Sequence, residues 1–281
     1  MNPQRRHKRA RKRKLAAKSL TVLVVITLAC CCSAPYMSSS ISNHCITDVQ
    51  LKAAATSSVH QIFVASAMRN ALLYLPDFFQ SLTNQDYPHL SLILCDDNSL
   101  DGSAEWVVNK KASYPFSTTL LRLHEQRGKA HAKWRLVERI RMVAAPMDIV
   151  LFINADDKLF RHDVLAEIDK AFKRNKPWYA HGHFRGYFEE ECTAPLHRDN
   201  DTMFIQDCPP HLLRAFLLNA LVESDFQNEN GSWIEAQSES KMARRAMQLA
   251  GDRIRIISAG NTCRVRPFEM HRRPTRAYRR T

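Results

Sequence analysis

The sequence predicts an α/β fold, a mostly parallel sheet with helices on both faces, and three observations carry that prediction. Short, nearly continuous apolar runs such as residues 90–95 (LSLILC) and 148–153 (DIVLFI) have strand length and no polar alternation, the pattern of strands buried on both faces. Stretches of helical period separate these runs. At 281 residues and 45% hydrophobic, the chain has apolar material for one sizeable core, which excludes a disordered polymer.

The N-terminal elements are of another kind. Residues 1–18 carry nine Lys or Arg and no acid, and the run from Ser19 to Met37 is apolar and uncharged. That length is inside the range of about 17–25 residues for a spanning helix, and we read residues 19–37 as a signal anchor. By the positive-inside rule the basic tail, 1–18, stays cytoplasmic and the rest lies outside or in the lumen. This predicts a single-pass type II membrane protein of the secretory pathway, for which the Golgi is the natural station. The alternative is a secreted chain, released after a cleaved signal peptide, with small residues Ser33-Ala34 for processing. Residues 38–58 are small, polar and unpatterned, as a stem would be. Two sequons, Asn200-Asp201-Thr202 and Asn230-Gly231-Ser232, are compatible with that side of a membrane.

The formal charge of +13 sits mostly at the two ends, since residues 264–281 add seven Arg against Glu269 alone. The body is close to neutral, so no nucleic-acid partner is expected. We place the folded domain at 59–266 and a solvated basic tail at 267–281. No CxxC pair occurs, which argues against a zinc site; Cys192 and Cys208 can pair across a loop.

Within the domain the elements follow in order. His60–Ser66 reads as a strand. Ala71–Leu82 reads as a helix with Leu72, Leu75, Phe79 and Leu82 on one face, and Pro76 must sit in its first turn or kink it. A strand at Leu90–Cys95, a helix at Ser103–Lys111, a strand at Thr118–Leu123, a helix at Ala130–Ala145 and a strand at Asp148–Ile153 complete the alternation. In such sheets the loops after the strand C-termini line the ligand crevice. Four loops are thereby singled out: Ser66–Arg69, Asp96–Ser99, His124–Ala130 and Asn154–Asp157. They hold carboxylates, one Gly and several cations, without GxGxxG or a P-loop. Adjacent carboxylates Asp156 and Asp157 repel each other unless a cation or backbone N–H groups face them.

The ordered set resembles the GT-A fold glycosyltransferases of the family 2 type. The matching pieces are the first strand, the S-L-x-x-Q-x-Y run at Ser81–Tyr87, the D-D-x-S-x-D-G-S loop at Asp96–Ser103, Gly128 before a helix, and a D-x-D-D-like strand end at Asn154–Asp157. The likeness covers about residues 59–175, with a weaker acceptor-side match at 211–226 and 238–257. It implies a Rossmann-like GT-A domain that transfers a single sugar from a nucleotide-diphosphate sugar, with UDP the expected nucleotide, to a hydroxyl of a glycan, lipid or protein, with inversion. By the same resemblance Ser66, Arg69, Asp96, Asp97, Gly128, Lys129, Asn154 and Asp156 contact the nucleotide sugar. Asp156, with Asp157 beside it, holds Mn²⁺ or Mg²⁺, and Glu239 is the catalytic base, with Glu235 a nearby competitor.

The chemistry needs those residue types. Departure of a nucleoside diphosphate requires stabilised phosphate charge, which a divalent cation supplies. A neutral hydroxyl needs a carboxylate to take its proton. Two departures stand out: Asn154 replaces the first acid of the metal motif, and Glu239 replaces the usual Asp. They motivate the alternative of a catalytically inactive GT-A-like binding or scaffold protein at the membrane.

Blander readings apply to single pieces. Asp96–Ser99 alone is a solvated Asx turn, and Asn154–Asp157 alone is a helix N-cap. His181 and His183 share a strand face as metal ligands would, but with no third ligand evident they read as packing residues or acceptor contacts; the resemblance offers His271 as a late metal ligand. Trp106, Trp134 and Trp178 read as core, and Trp233 as a candidate for acceptor stacking.

Overall fold

In the computed structural model the described residues are 59–185, 191–192, 197–199, 202–204, 210–234 and 238–264. The predicted tail, anchor and stem, the basic C-terminal tail, Glu235, Cys208, the Asn200 sequon and His271 lie outside them. Among the described residues no helix is long and apolar enough to cross a membrane.

The strands are β1 (Ile62–Met68), β2 (Leu90–Asp96), β3 (Ser117–Arg122), β4 (Ile149–Phe152), β5 (Asp157–Leu159), β6 (Tyr179–Arg185), β7 (Glu191–Cys192), β8 (His197–Asp199), β9 (Thr202–Phe204), β10 (His211–Arg214) and β11 (Ile254–Arg264). The helices are α1 (Leu75–Thr83), α2 (Ser103–Lys110), α3 (Lys129–Arg141), α4 (Val164–Asn175), α5 (Ala215–Leu218) and α6 (Ser238–Ala250). The main sheet runs β3-β2-β1-β4-β10-β6-β11-β5, with β7 added on β6. Its first four strands are parallel, with Ile62 opposite both Leu90 and Ile149, and Ser91 opposite Ser117. Strand β10 enters antiparallel between β4 and β6, and β6 pairs parallel with β11.

The period-2 geometry of the strands sorts the core into two layers. Ile62, Val64, Leu92, Leu94, Ile149 and Leu151 face α1 and α4. Their neighbours Phe63, Ala65, Ile93, Cys95, Val150 and Phe152 face α3, α5 and α6. Pro76 falls in the first turn of α1, where its missing N–H costs nothing. That helix buries Leu75, Phe78, Phe79 and Leu82, and Phe79 sits among the rings of Phe78, Trp106, Tyr114 and Phe116.

The strand and helix positions read from the sequence hold for the first half of the domain. Three features were not anticipated. The last acid of the motif and the two residues after it form the three-residue strand β5, which pairs with the far end of β11. The 211–226 stretch breaks into β10, α5 and a 3₁₀ turn at Glu223–Phe226. Strand β11 is long and irregular between Ile257 and Thr262.

At the opposite end of β1 from the loops lies a buried polar cluster. His60 Nδ1 contacts Asp169 Oδ1 at 2.7 Å, Lys173 pairs with the same carboxylate, and Tyr87 donates its hydroxyl to the His60 carbonyl at 2.5 Å. Arg214, only 2% exposed, donates to the Phe172 carbonyl at 3.0 Å and to that of Met147. Burial lowers its pKa to about 10, which leaves it charged at neutral pH.

Candidate active site

The parallel register sets Met68, Asp96 and Arg122 side by side at one edge of the sheet. The loops that leave these ends, with the one after β4, enclose an open cleft of ≈ 650 Å³. Met68 and Arg69 line it from the first loop, Asp97 from the second, Arg127, Gly128 and Lys129 from the third, and Asn154 and Asp156 from the fourth.

Local hydrogen bonds build these loops. Asn70 donates its N–H to Ser99 Oγ (2.9 Å) and accepts that of Leu100 (2.9 Å). Asp101 accepts the N–H groups of Leu72 and Ser103, each at 3.0 Å. The short polar side chains of the D-D-N-S-L-D-G-S run thus tie the first loop to the second. Sequence reading recognised the motif and missed this cross-bracing, whose signal was the density of Asn, Asp and Ser. Gly128, at φ +92° and ψ 165°, starts α3, whose first turn contains no acid and whose N-terminus opens on the cleft.

The predicted residues separate into those that line the cleft and those that do not. Arg69, Asp97, Gly128, Lys129, Asn154 and Asp156 line the cleft together. Ser66 is fully buried within β1 and does not line it. Asp96 is 1% exposed and accepts hydrogen bonds from the Ser99 hydroxyl and from the Ser99 N–H at 3.2 Å. Asp157 is fully buried in β5, so of the two adjacent carboxylates only Asp156 borders the cleft. Glu239 is the second residue of α6; its side chain lies outside the described part. Burial beside Asp97 pushes the Cys95 thiol up to about 12, which removes it as a nucleophile at neutral pH.

His181, Trp134 and Trp178 pack as the bland readings expect, and the His183 side chain lies outside the described part. His181 is buried and stacks edge-on to His211, with ring centroids 5.5 Å apart. Trp134 packs on Phe226, and Trp178 on Phe216. Trp233 meets His131 of α3 edge-on at 4.6 Å, which ties the 227–234 hairpin to the helix that begins at the cleft.

A divalent cation fits this cleft in one way. Among the described residues no three His, Cys, Asp or Glu side chains gather as a metal group. At the corner after β4 the hard oxygen donors that line the cleft are the Asp156 carboxylate and the Asn154 amide. Such a set suits Mg²⁺ or Mn²⁺ carried in by phosphates, since these ions take one or two carboxylates and complete their shell from substrate and water.

The sheet order, the cleft at its C-terminal edge and the acidic corner after β4 define a GT-A type domain. The glycosyl transferase family 2 model matches residues 64–227, more than half of the chain, and the protein belongs to that family. No curated protein sequence matches it. Among solved structures, the fold is similar to that of Staphylococcus aureus TarS 1-349, at 15% identity and TM-score 0.57 over 70% of this chain and 58% of that one. A TarS 1-349 complex with UDP-GlcNAc matches at 16% identity and TM-score 0.52, over 70% of this chain and 56% of that one. The mannosyltransferase PcManGT from Pyrobaculum calidifontis, in complex with GDP-Man and Mn²⁺, matches at 16% identity and TM-score 0.54, over 76% of this chain and 59% of that one. The chain therefore spans less than two thirds of the length of these structures.

Proposed function

We propose that the protein transfers one sugar from a nucleotide-diphosphate sugar, UDP being the favoured nucleotide, to an acceptor hydroxyl of a glycan, lipid or protein, with inversion. The observation that carries this reading is the convergence of Asp156, Asn154 and the N-terminus of α3 on one cleft. A helix N-terminus attracts anions through its unpaired N–H groups and its dipole. Lys129 adds a cation, and Arg69 another at the opposite loop. Asp156 would hold Mn²⁺ or Mg²⁺ against the diphosphate, and the bound ion supplies Lewis-acid stabilisation of the leaving phosphate. Asn154 offers an amide to a ribose hydroxyl. Glu239, near the start of α6, is the proposed base that accepts the acceptor's proton as its oxygen attacks the anomeric carbon from the face opposite the leaving group. PcManGT with GDP-Man and Mn²⁺, and TarS with UDP-GlcNAc, support a donor of this class.

The basic block and uncharged apolar run at 1–37 support a type II membrane protein that faces the secretory lumen, with the Golgi favoured. The decisive test is calorimetry of the purified chain with UDP and with GDP, with and without Mn²⁺. Metal-dependent nucleotide binding is expected, and its absence sinks the reading. One observation favours the second reading, an inactive GT-A-like binding protein: Asn154 contributes no charge where the resemblance expects an acid. Binding of nucleotide without turnover across a panel of donors would select it.

A further inference from the structure

The 227–234 hairpin carries a group that the proposed reaction does not use. Residues 228–232 are all exposed. The Asn228 N–H donates to the Ser232 carbonyl at 2.8 Å, the Gly231 N–H donates to the Asn228 carbonyl at 3.0 Å, and Gln227 pairs antiparallel with Trp233 at the base. The sequon Asn230-Gly231-Ser232 is thereby the tip of a closed turn. Within it, Asn230 Oδ1 accepts the Ser232 N–H at 3.1 Å and the Ser232 hydroxyl at 2.7 Å, an Asx turn. A backbone N–H can only donate, so the first of these contacts identifies the amide oxygen. Both bonds fall on that oxygen, and Nδ2 meets no acceptor among the described residues. Gly231 takes φ +79°, and a Cβ there would meet nothing within 4 Å; the tip stands in open space.

We infer that Asn230 is a modification site, the acceptor of an N-linked oligosaccharide on the solvent side of this hairpin. The donor class is a lipid-diphosphate-linked oligosaccharide, brought by a separate transferring enzyme. The bond from Nδ2 to C1 of the first sugar forms as the bond from C1 to the phosphate oxygen breaks. The lipid diphosphate leaves with that electron pair, and the proton lost from Nδ2 passes to a base of the transferring enzyme. A glycan is bulky and hydrated, so its attachment point has to remain at the surface after folding. The hairpin meets that need. The hydrogen bonds that shape the tip lie within residues 228–232, so no distant segment has to form first. The anchoring contacts sit below the tip instead, where Ile234 donates its N–H to the Phe226 carbonyl at 3.1 Å and Trp233 meets His131. A glycan added at Asn230 therefore displaces none of the packing that holds the hairpin on α3.

The inference rests on the lumenal reading of the domain, and the test separates the two claims. The full chain is made in a secretory eukaryotic cell as the Asn200→Gln variant, which leaves Asn230-Gly231-Ser232 as its remaining Asn-x-Ser/Thr triplet. Treatment with peptide N-glycosidase should shift the chain downward by one glycan on a denaturing gel, and mass mapping should find the Asn230 amide converted to an acid. The shift should be lost both in Asn230→Gln and in Ser232→Ala, the second of which keeps the acceptor amide and removes the hydroxyl. Protease protection in sealed microsomes reads the topology without reference to any glycan. A protected domain that shows no shift overturns the inference and leaves the lumenal reading standing. A domain digested from outside the microsomes overturns both. A shift that survives Asn230→Gln places the glycan elsewhere and also overturns the inference.

Discussion

The carbonyl of Asn154 accepts the backbone N–H of Asp157 at 3.1 Å, closing a tight turn that holds Asp156 at its corner. The two acids that look equivalent in sequence are thereby separated. Asp157 starts β5 and is buried in the pairing with β11, where Arg264 is its register partner, while Asp156 borders the cleft. The turn explains how a buried strand can stop at adjacent carboxylates without placing both at one cation.

Two substitutions test that geometry. Asp156→Ala should lower sugar transfer by at least about 100-fold, since loss of one group that stabilises developing charge is worth on the order of 3 kcal/mol. Asn154→Asp should tighten the Mn²⁺-dependent part of UDP binding by about tenfold, because a second carboxylate joins the set available to the ion. Titration with and without metal reads both effects. Unchanged metal dependence in Asn154→Asp would remove Asn154 from the metal's neighbourhood.

Much of this was legible in the sequence. Strands β1, β2 and β4 are nearly continuous apolar runs because both of their faces are covered, and their loops could be assigned to one edge from topology alone. Gly128, Asp156 and Arg69 were found in that way. The identity of the cleft-facing acids was not legible. Asp96 against Asp97, and Asp156 against Asp157, are decided by which way one side chain turns at a strand end, and composition does not encode that. Ser66 has the same cause: one step of the β1 pleat buries it. Strand β5 was hidden because three residues carry no period, and β10 because Leu212 and Leu213 run on into the apolar residues of α5.

Gly128 should resist substitution for a backbone reason. An added Cβ would meet nothing within 4 Å, so no clash is expected, and the whole cost comes from φ +92° with ψ 165°. Residues without that freedom pay about 1–3 kcal/mol in such regions. Gly128→Ala should therefore lower the unfolding free energy by that amount in urea titrations, and should weaken UDP binding by moving the start of α3. A silent Gly128→Ala would show that the loop relaxes without consequence.

Phe79 is the hub of the aromatic cluster on the α1 face of the sheet. Its ring lies 4.8 Å from Tyr114 and 5.2 Å from Trp106, centroid to centroid, and it is fully buried. Phe79→Ala removes the ring that four others pack against, and the expected loss is about 3–5 kcal/mol. Thermal unfolding followed with and without UDP should show a lower midpoint in both cases. A loss below about 1 kcal/mol would mean that the neighbouring rings collapse into the space.

Acid stability should be set by the cluster around His60. Burial, and then the positive charge of Arg214, hold the His60 pKa below its ordinary value of 6.5, against the opposing contact with Asp169. The unfolded chain therefore binds a proton that the folded chain refuses. The His60 contribution to stability is complete above about pH 6.5 and declines as the pH falls below it. Asp169 acts later. Burial raises its pKa, but the hydrogen bonds from Lys173 and His60 outweigh this and leave it below 3.8, so its contribution is lost only as the pH falls through that more acidic range. Urea unfolding from pH 8 to 5 should show a decline that starts near pH 6.5, and His60→Asn, which keeps a donor for Asp169 and cannot titrate, should make it shallower, the remainder belonging to His131, whose pKa burial likewise holds below its ordinary value. An equal slope in wild type and His60→Asn would assign the decline to another group.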